Sequence, residues 1–278
     1  MDHCADLVRQ YDRDRYLTAL FSPAKHRDAL MSLYAFDVEI KRVSDLVSDP
    51  MPGEIRLQWW SDAIANVEHG SIEGHPVAAA LLETIKTYDL PAQPLLDLIE
   101  ARRFDLYNDP MPSLTDLEGY SGETVSAVLQ LSALVLSGTK DPKSADMSGH
   151  AGVALGLTAI LLHLPKHSGK KQLFLPLDVL QRHGLTPEEF LLDEEYDRVA
   201  AVVREMCEHI RHHLDRFESA NTQTGNQELA SAYLQIGILP LYLKALESQS
   251  SDPRQTIPAI AQWRRQWALW KTARRLTR

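Results

Sequence analysis

Apolar residues recur along this chain at three- and four-residue intervals almost from end to end, and alternating apolar and polar runs are scarce. That period belongs to helices with one buried face, not to half-buried strands. It predicts a first helix over 4–19 and a second, opened by Pro23, that runs to about Asp49 on Ala29, Leu30, Leu33, Tyr34, Phe36, Val38 and Ile40. Further helices are expected at Glu54–Val67, from His75-Pro76 to about Asp89, and over 92–107, 114–138, 144–163, 192–219, 227–247 and 256–277. Pro76 falls at a first turn, where its missing N–H is no loss. Ser113 or Thr115 can cap the helix over 114–138, and Thr186-Pro-Glu-Glu189 has the form of a capping box. Asp109-Pro-Met-Pro112, residues 165–172 and Asn221–Asn226 read as loops or linkers, and His183-Gly184 as a stop. With no repeat of fixed period and no linker long enough to divide it, the chain is expected to be all-α. One domain of about ten helices would cover 1–252, with a basic, Trp-rich C-terminal helix in 253–278 packed on it or extending from it.

The 278 residues are 44% hydrophobic, enough for a large core. Cys4 and Cys207 have no metal-type spacing and suit a reducing compartment. The acidic N-terminus lacks the features of a signal peptide. The apolar run from Ala151 to Leu164 is too short to cross a bilayer and contains His163, so no transmembrane helix is expected. The formal charge of −9 is uneven: residues 253–278 hold seven basic and no acidic side chains, leaving 22 basic against 38 acidic, or −16, elsewhere. An acidic body is a poor nucleic-acid binder. A basic tail on it suits an anionic membrane surface or an acidic partner. Trp263, Trp267 and Trp270 share one face of that tail, with Arg264, Arg265, Lys271, Arg274 and Arg275 around them. The face suits a membrane interface or a partner groove, or it packs on the domain.

Candidate chemistry centres on Arg42-Val-Ser-Asp45-Leu-Val-Ser-Asp49. On a continuous helix Asp45 and Asp49 share a face with Arg42, a set able to hold a divalent cation and a phosphate, or simply a solvated helix end. His163 and His167 have i, i+4 spacing, which a transition metal accepts, and the two aspartates could complete that set. Pro165 between the histidines argues against one helix carrying both in register. Lys166, Lys170 and Lys171 flank the same stretch. Tyr120, Phe104 and Phe174 are candidates to line an apolar cavity, although aromatics at helical spacing are commonly core.

In order along the chain stand Ser22-Pro-Ala-Lys-His-Arg27, Leu33-Tyr-Ala-Phe36, Arg42-x-x-Asp45-x-x-x-Asp49, Trp59, His75-Pro-Val77, Arg103-Phe-Asp-Leu106, Tyr120 and Phe174-Leu-Pro176. Together they resemble the squalene/phytoene synthase family over about residues 8–247. That resemblance implies the all-α isoprenoid synthase fold, a helical bundle around a central cavity. It also implies two aspartate motifs that hold Mg²⁺ and a prenyl diphosphate. Arg42, Asp45 and Asp49 match the first motif. Where the family reads approximately Gln-Leu-Thr-Asn-Ile-Leu-Arg-Asp-x-x-x-Asp, this chain has Gly156-Leu-Thr-Ala159-Ile-Leu-Leu162-His163-x-x-x-His167. Imidazole is a poor ligand for Mg²⁺, so normal condensation is not expected. The family's early Arg-Ser-Phe element is also missing, with Arg13-Asp-Arg15 in that region.

Phe36-Asp-Val-Glu39, Pro165-Lys-His-Ser-Gly-Lys-Lys171 and His183-Gly-Leu-Thr-Pro-Glu-Glu-Phe190 are similar to a subgroup, the phytoene-synthase-like mitochondrial complex I assembly factors and their bacterial relatives. This implies a role in respiratory complex assembly or as a scaffold, with a respiratory subunit, an assembly factor or a membrane surface as partner. The alternatives are a Mg²⁺-dependent prenyltransferase and a module that binds an isoprenoid lipid. The expected location is cytoplasmic, peripheral at the inner face of the membrane.

Overall fold

The structure, a computed structural model, describes residues 2–65, 74–107, 109–192, 196–224, 227–248, 251–257 and 259–276, and every regular element among them is helical. α1 (Asp2–Tyr11), α2 (Arg13–Leu20), α3 (Ala24–Leu46), α4 (Pro50–Ala65), α5 (Pro76–Tyr88) and α6 (Gln93–Arg102) form the first half. A 3-10 turn, Arg103–Leu106, leads to α7 (Leu114–Ser121), a π-turn (Gly122–Ser126) and α8 (Ala127–Ser137). Then come α9 (Ala145–Leu162), α10 (Leu164–Gly169), α11 (Leu177–Arg182), α12 (Pro187–Leu192) and α13 (Tyr196–Thr224). A 3-10 stretch, Gln227–Ile238, runs into α14 (Leu239–Glu247), and α15 (Gln262–Leu276) is the last helix.

α3 and α9 occupy the centre. α9 is buried on nearly every side from Met147 to Leu161, which explains its run of apolar and small residues in place of a single stripe. α13 packs along α9, while α1, α5 and α8 pack on α3. The turn chemistry acts where the sequence puts it. The Thr186 N–H donates to Glu189 Oε2 at 2.8 Å and the Glu189 N–H to Thr186 Oγ1 at 3.2 Å, closing the capping box. Ser113 Oγ accepts from the Asp116 N–H at 3.2 Å. Ala145–Leu162 and residues 227–247 are each long and apolar enough to cross a membrane, and each has 61% of its apolar window buried inside the domain, as core helices do.

Several boundaries differ from expectation. α3 stops at Leu46 because Val47 is extended and Asp49 precedes Pro50, whose ring disfavours helical backbone before it. Residues 164–169 of the expected loop form α10, which Pro165 opens at its first turn. The helix expected over 114–138 contains the π-turn. α13 runs through Asn221 to Thr224, into the expected linker, whose residues 225 and 226 lie outside the described part. The helix expected from 256 starts at Gln262, after Pro253 and Pro258, the latter outside the described residues. Val67 of the expected 54–67 helix also lies outside them.

α15 is seated on the 3-10 stretch at a glycine. A Cβ on Gly237 would lie 1.8 Å from Thr272 Oγ1, so only glycine permits this approach. Leu234, Ile238, Leu269 and Ala273 form a small core there. Arg265, expected with the Trp face, points inward instead and donates to Asp14 at 3.0 Å and to the Tyr242 hydroxyl at 3.2 Å. Trp263, Trp267 and Trp270 face outward, with 68%, 56% and 39% of their surface exposed.

Candidate functional site

A cavity of about 110 Å³ opens between the C-terminal half of α3, the end of α6, the α7–π-turn junction and the α9–α10 junction. Its α3 wall carries Lys41 and, one helical turn further on, Ser44 and Asp45. Arg102 and Asp105 come from the end of α6 and the turn after it. Tyr120, Ser121 and Thr124 stand opposite Gly156, Ala159 and His163 of α9, and Lys166, His167, Gln172 and Phe174 complete the wall.

The inner end is a buried charge network. Arg15 donates to Asp37 at 2.6 Å, and Arg102 Nη2 lies 3.9 Å from the same carboxylate. Arg102 also donates to Asp105 at 3.1 Å and to the Tyr120 hydroxyl at 2.5 Å, which itself donates to Asp105 at 2.6 Å. Burial alone would raise the Asp37 carboxyl; Arg15 and Arg102 outweigh it and hold the group below the ordinary aspartate value. Burial pushes the Tyr120 hydroxyl well up, so it stays protonated.

At the outer end Asp45 accepts from Lys166 Nζ at 2.7 Å and from Lys170 Nζ at 3.0 Å. Burial works to raise its carboxyl, and the two lysine hydrogen bonds override it. His163 Nδ1–H donates to the Ala159 carbonyl at 2.6 Å, which leaves Nε2 as the acceptor nitrogen of the neutral ring. The His163 and His167 ring centroids are 5.9 Å apart, and the His167 N–H donates to the His163 carbonyl at 2.9 Å, so one helical turn is kept across Pro165 and the rings stand side by side, against the expectation from Pro165. Burial lowers both imidazoles, helped by Lys41 at His163; burial followed by His163 and Lys166 brings His167 down to about 3. Both rings are neutral at pH 7.

The expected set Arg42, Asp45 and Asp49 does not converge. Only Asp45 lines the cavity. Arg42 faces a separate groove with Glu39, Trp59 and His75, and its guanidinium stacks 3.6 Å from the centroid of the Tyr11 ring. Asp49, past the helix end, is exposed, with Ser48 Oγ 3.4 Å from its carboxylate. Tyr120 and Phe174 line the cavity, while Phe104 packs behind them with centroids 6.2 Å and 5.9 Å away. Arg102 and the cavity lysine Lys41 were not singled out in the sequence, and Asp37 and Asp105 stood there only inside motif strings, with no site role. The available signal was a charged residue, Asp37, directly after the largely apolar run Ala29–Phe36.

Mg²⁺ does not fit this donor set. It requires several hard oxygen ligands in octahedral array. Here both oxygens of Asp45 are taken by ammonium groups, and the facing wall offers neutral imidazoles and Lys166. Among the described residues no group of three or more His, Cys, Asp or Glu is placed to hold a metal ion. The wall between α9 and α7 is tight as well. A Cβ on Gly156 would lie 2.5 Å from Ser121 Oγ and 2.9 Å from its Cβ, so the helices meet where a longer side chain would stand.

The profile of the squalene/phytoene synthase family matches residues 8–271. The chain is 32% identical over 250 residues to the NADH dehydrogenase (ubiquinone) complex I assembly factor 6 of Rattus norvegicus, spanning 90% of this chain and 74% of that protein. It is 22% identical over 262 residues to the chloroplastic phytoene synthase of Daucus carota, spanning 90% and 64%. Among solved structures, a ligand-bound dehydrosqualene synthase superposes with a TM-score of 0.78 at 16% identity, covering 99% of this chain and 95% of that one, which shows the shared fold.

Proposed function

We propose that this chain, which belongs to the squalene/phytoene synthase family, serves in the assembly of a respiratory complex and does not condense prenyl diphosphates. The observation that carries the loss of chemistry is Asp45, bonded by Lys166 and Lys170 and faced by His163 and His167. Ionising an allylic diphosphate creates a highly charged leaving group, and metal cations are the means of neutralising it. The cavity volume agrees: about 110 Å³ is well below the roughly 300–1,000 Å³ of sites that enclose a drug-sized ligand, and a prenyl donor is at least that large. The assembly role draws on the similarity to a complex I assembly factor.

The outward face of α15 supports a peripheral position at the inner face of the cytoplasmic membrane. Its tryptophans are accompanied by Arg264, 5.9 Å from the Trp263 ring centroid, and Arg274, 4.8 Å from that of Trp270. Aromatic rings with cations at one helix face suit the headgroup layer.

Purified protein incubated with labelled farnesyl diphosphate and Mg²⁺ is expected to release no diphosphate above background. Turnover that disappears in Asp45→Ala would overturn this reading. Affinity capture from host membranes is expected to enrich respiratory subunits, and repeated failure to do so removes the assembly role. Lipid extraction tests an isoprenoid in the cavity, for which the small volume predicts none.

A further inference from the structure

The groove beside Arg42 has a volume of about 470 Å³, larger than the central cavity, and takes no part in that site. It lies between α3 and α4, which only residues 47–49 separate in the chain. Arg42, Val43 and Leu46 line it from α3, and Ile55 and Trp59 from α4, at the three- and four-residue spacing of one helix face. Met51, one turn before Ile55, extends the α4 stripe past the groove. Leu46, Met51 and Ile55 keep 52%, 69% and 64% of their surface exposed. Large apolar side chains exposed as a group mark an interaction surface, whereas single ones do not. At the other end Trp59 stands edge-on to Trp60 at 5.2 Å and 4.9 Å from the His75 ring. His75 is itself held, with Nδ1 accepting from the Ala78 N–H at 3.3 Å and Nε2 3.2 Å from Glu39. Rings fixed in this way lose little freedom when a partner covers them.

Charge selects the occupant. Arg42 and Arg56 edge the groove, and neither forms an ion pair among the described residues. Glu39 is the one carboxylate among the described residues that line it, and His75 engages it. The carboxylates of α4 are engaged elsewhere: Glu54 accepts from Arg103 and Tyr107, and Asp62 from Gln58. Two uncompensated guanidinium groups beside an apolar stripe, on a chain with more acidic than basic residues, complement carboxylates set next to aliphatic side chains. Two helices that leave a stripe at helical spacing between them accept the ridge of a third. We propose that the α3–α4 groove seats an acidic amphipathic helix of a partner protein. Its aliphatic side chains cover Leu46, Ile55 and Trp59, and its carboxylate pairs with Arg56. This deepens the assembly reading and rests on it for the partner being a respiratory-complex protein.

The test places the photo-crosslinking residue p-benzoylphenylalanine at position 55 of the full chain, irradiates host cells and sequences the adduct. The expected adduct is a helical segment of a respiratory-complex subunit with Asp or Glu three or four residues from Leu, Ile or Val. Arg56→Glu in the same protein is expected to lower the yield about tenfold, with Arg56→Lys keeping most of it. Leu46→Ser is the second variant, expected to lower the yield severalfold. Both positions are exposed, so an unchanged thermal midpoint is expected to accompany each loss. Absence of any adduct, an adduct to lipid, to a second copy of this chain or to a segment without acidic residues, or full yield in a folded Arg56→Glu protein overturns the groove. Affinity capture that still enriches respiratory subunits would then leave the assembly reading standing. An adduct on an acidic amphipathic helix from outside any respiratory complex supports the groove and counts against the assembly reading instead.

Discussion

Lys166 Nζ lies 2.7 Å from Asp45 Oδ2, an ion pair that joins residues 121 apart in sequence and fastens α10 to the end of α3. Lys170 takes the other carboxylate oxygen. The three side chains keep between 35% and 45% of their surface, so solvent screens the attraction. Lys166→Ala combined with Lys170→Ala is therefore expected to cost no more than about 1–2 kcal/mol in urea unfolding. A larger loss would mean that the pair anchors the junction beyond its own charge.

The inner network behaves differently. Asp37 is buried between Arg15 and Arg102, and its replacement by alanine leaves two guanidinium groups without their shared counterion. The expected loss is about 3–5 kcal/mol, read from the urea midpoint. The double variant Asp37→Leu, Arg15→Met is expected to recover part of it. No recovery would show that Arg102 alone needs the carboxylate.

Gly156→Gln tests the closed wall. The first carbon of any side chain there meets Ser121. Overpacking of this kind costs about 1–3 kcal/mol. Adding Ser121→Gly is expected to restore part of the stability, and a Gly156→Gln protein as stable as the parent would show that the helices part easily.

His167 sets a pH dependence. Its folded value of about 3 lies below the ordinary histidine value of 6.5, so the unfolded chain binds more protons between those limits. Stability from this group is full above about pH 6.5 and falls as the pH drops toward 3. Between pH 6.5 and 4.5 the loss is up to about 2 kcal/mol, since partial exposure reduces the effect. Unfolding of His167→Gln across this range is expected to show a flatter acid limb. An identical slope in both proteins would remove His167 as its source.

The outward tryptophans should matter for binding and not for folding. Trp267 and Trp270 stack on each other with centroids 4.8 Å apart and both are exposed. Trp267→Ser with Trp263→Ser is expected to leave the thermal midpoint within the range of surface changes, about 0.5 kcal/mol. The same variant should lose flotation with anionic vesicles, and 0.5 M salt should weaken the parent. Retained flotation would turn attention to a protein partner for this face.

The helical class was legible because the apolar period fixes helix faces without reference to neighbours. Local caps were legible for the same reason: Thr186 and Glu189 act within one turn. The ends were not. Asp49 leaves the helix through the combination of Val47 and Pro50, and α10 forms across a stretch whose Ser, Gly and Lys content reads as loop. At the site, Asp45, His163, His167, Tyr120 and Phe174 do meet in one cavity. The partners of Asp45 did not follow from spacing, since Lys166 reaches it only through the fold. Lys41 and Arg102 were missed because each is the first of two adjacent basic residues, Lys41-Arg42 and Arg102-Arg103, and such a pair on a helix reads as solvated until its surroundings are known.

The contact at Gly156 also bears on descent. A glutamine returned to that position would meet Ser121 before any metal ligand had been regained. His163 and His167 would still be imidazoles, and Asp45 would still be occupied. A change at Gly156 alone is therefore destabilising and supplies no ligand for a metal ion. Gly156 works as a latch: a longer side chain at this position is accommodated only when Ser121 changes with it.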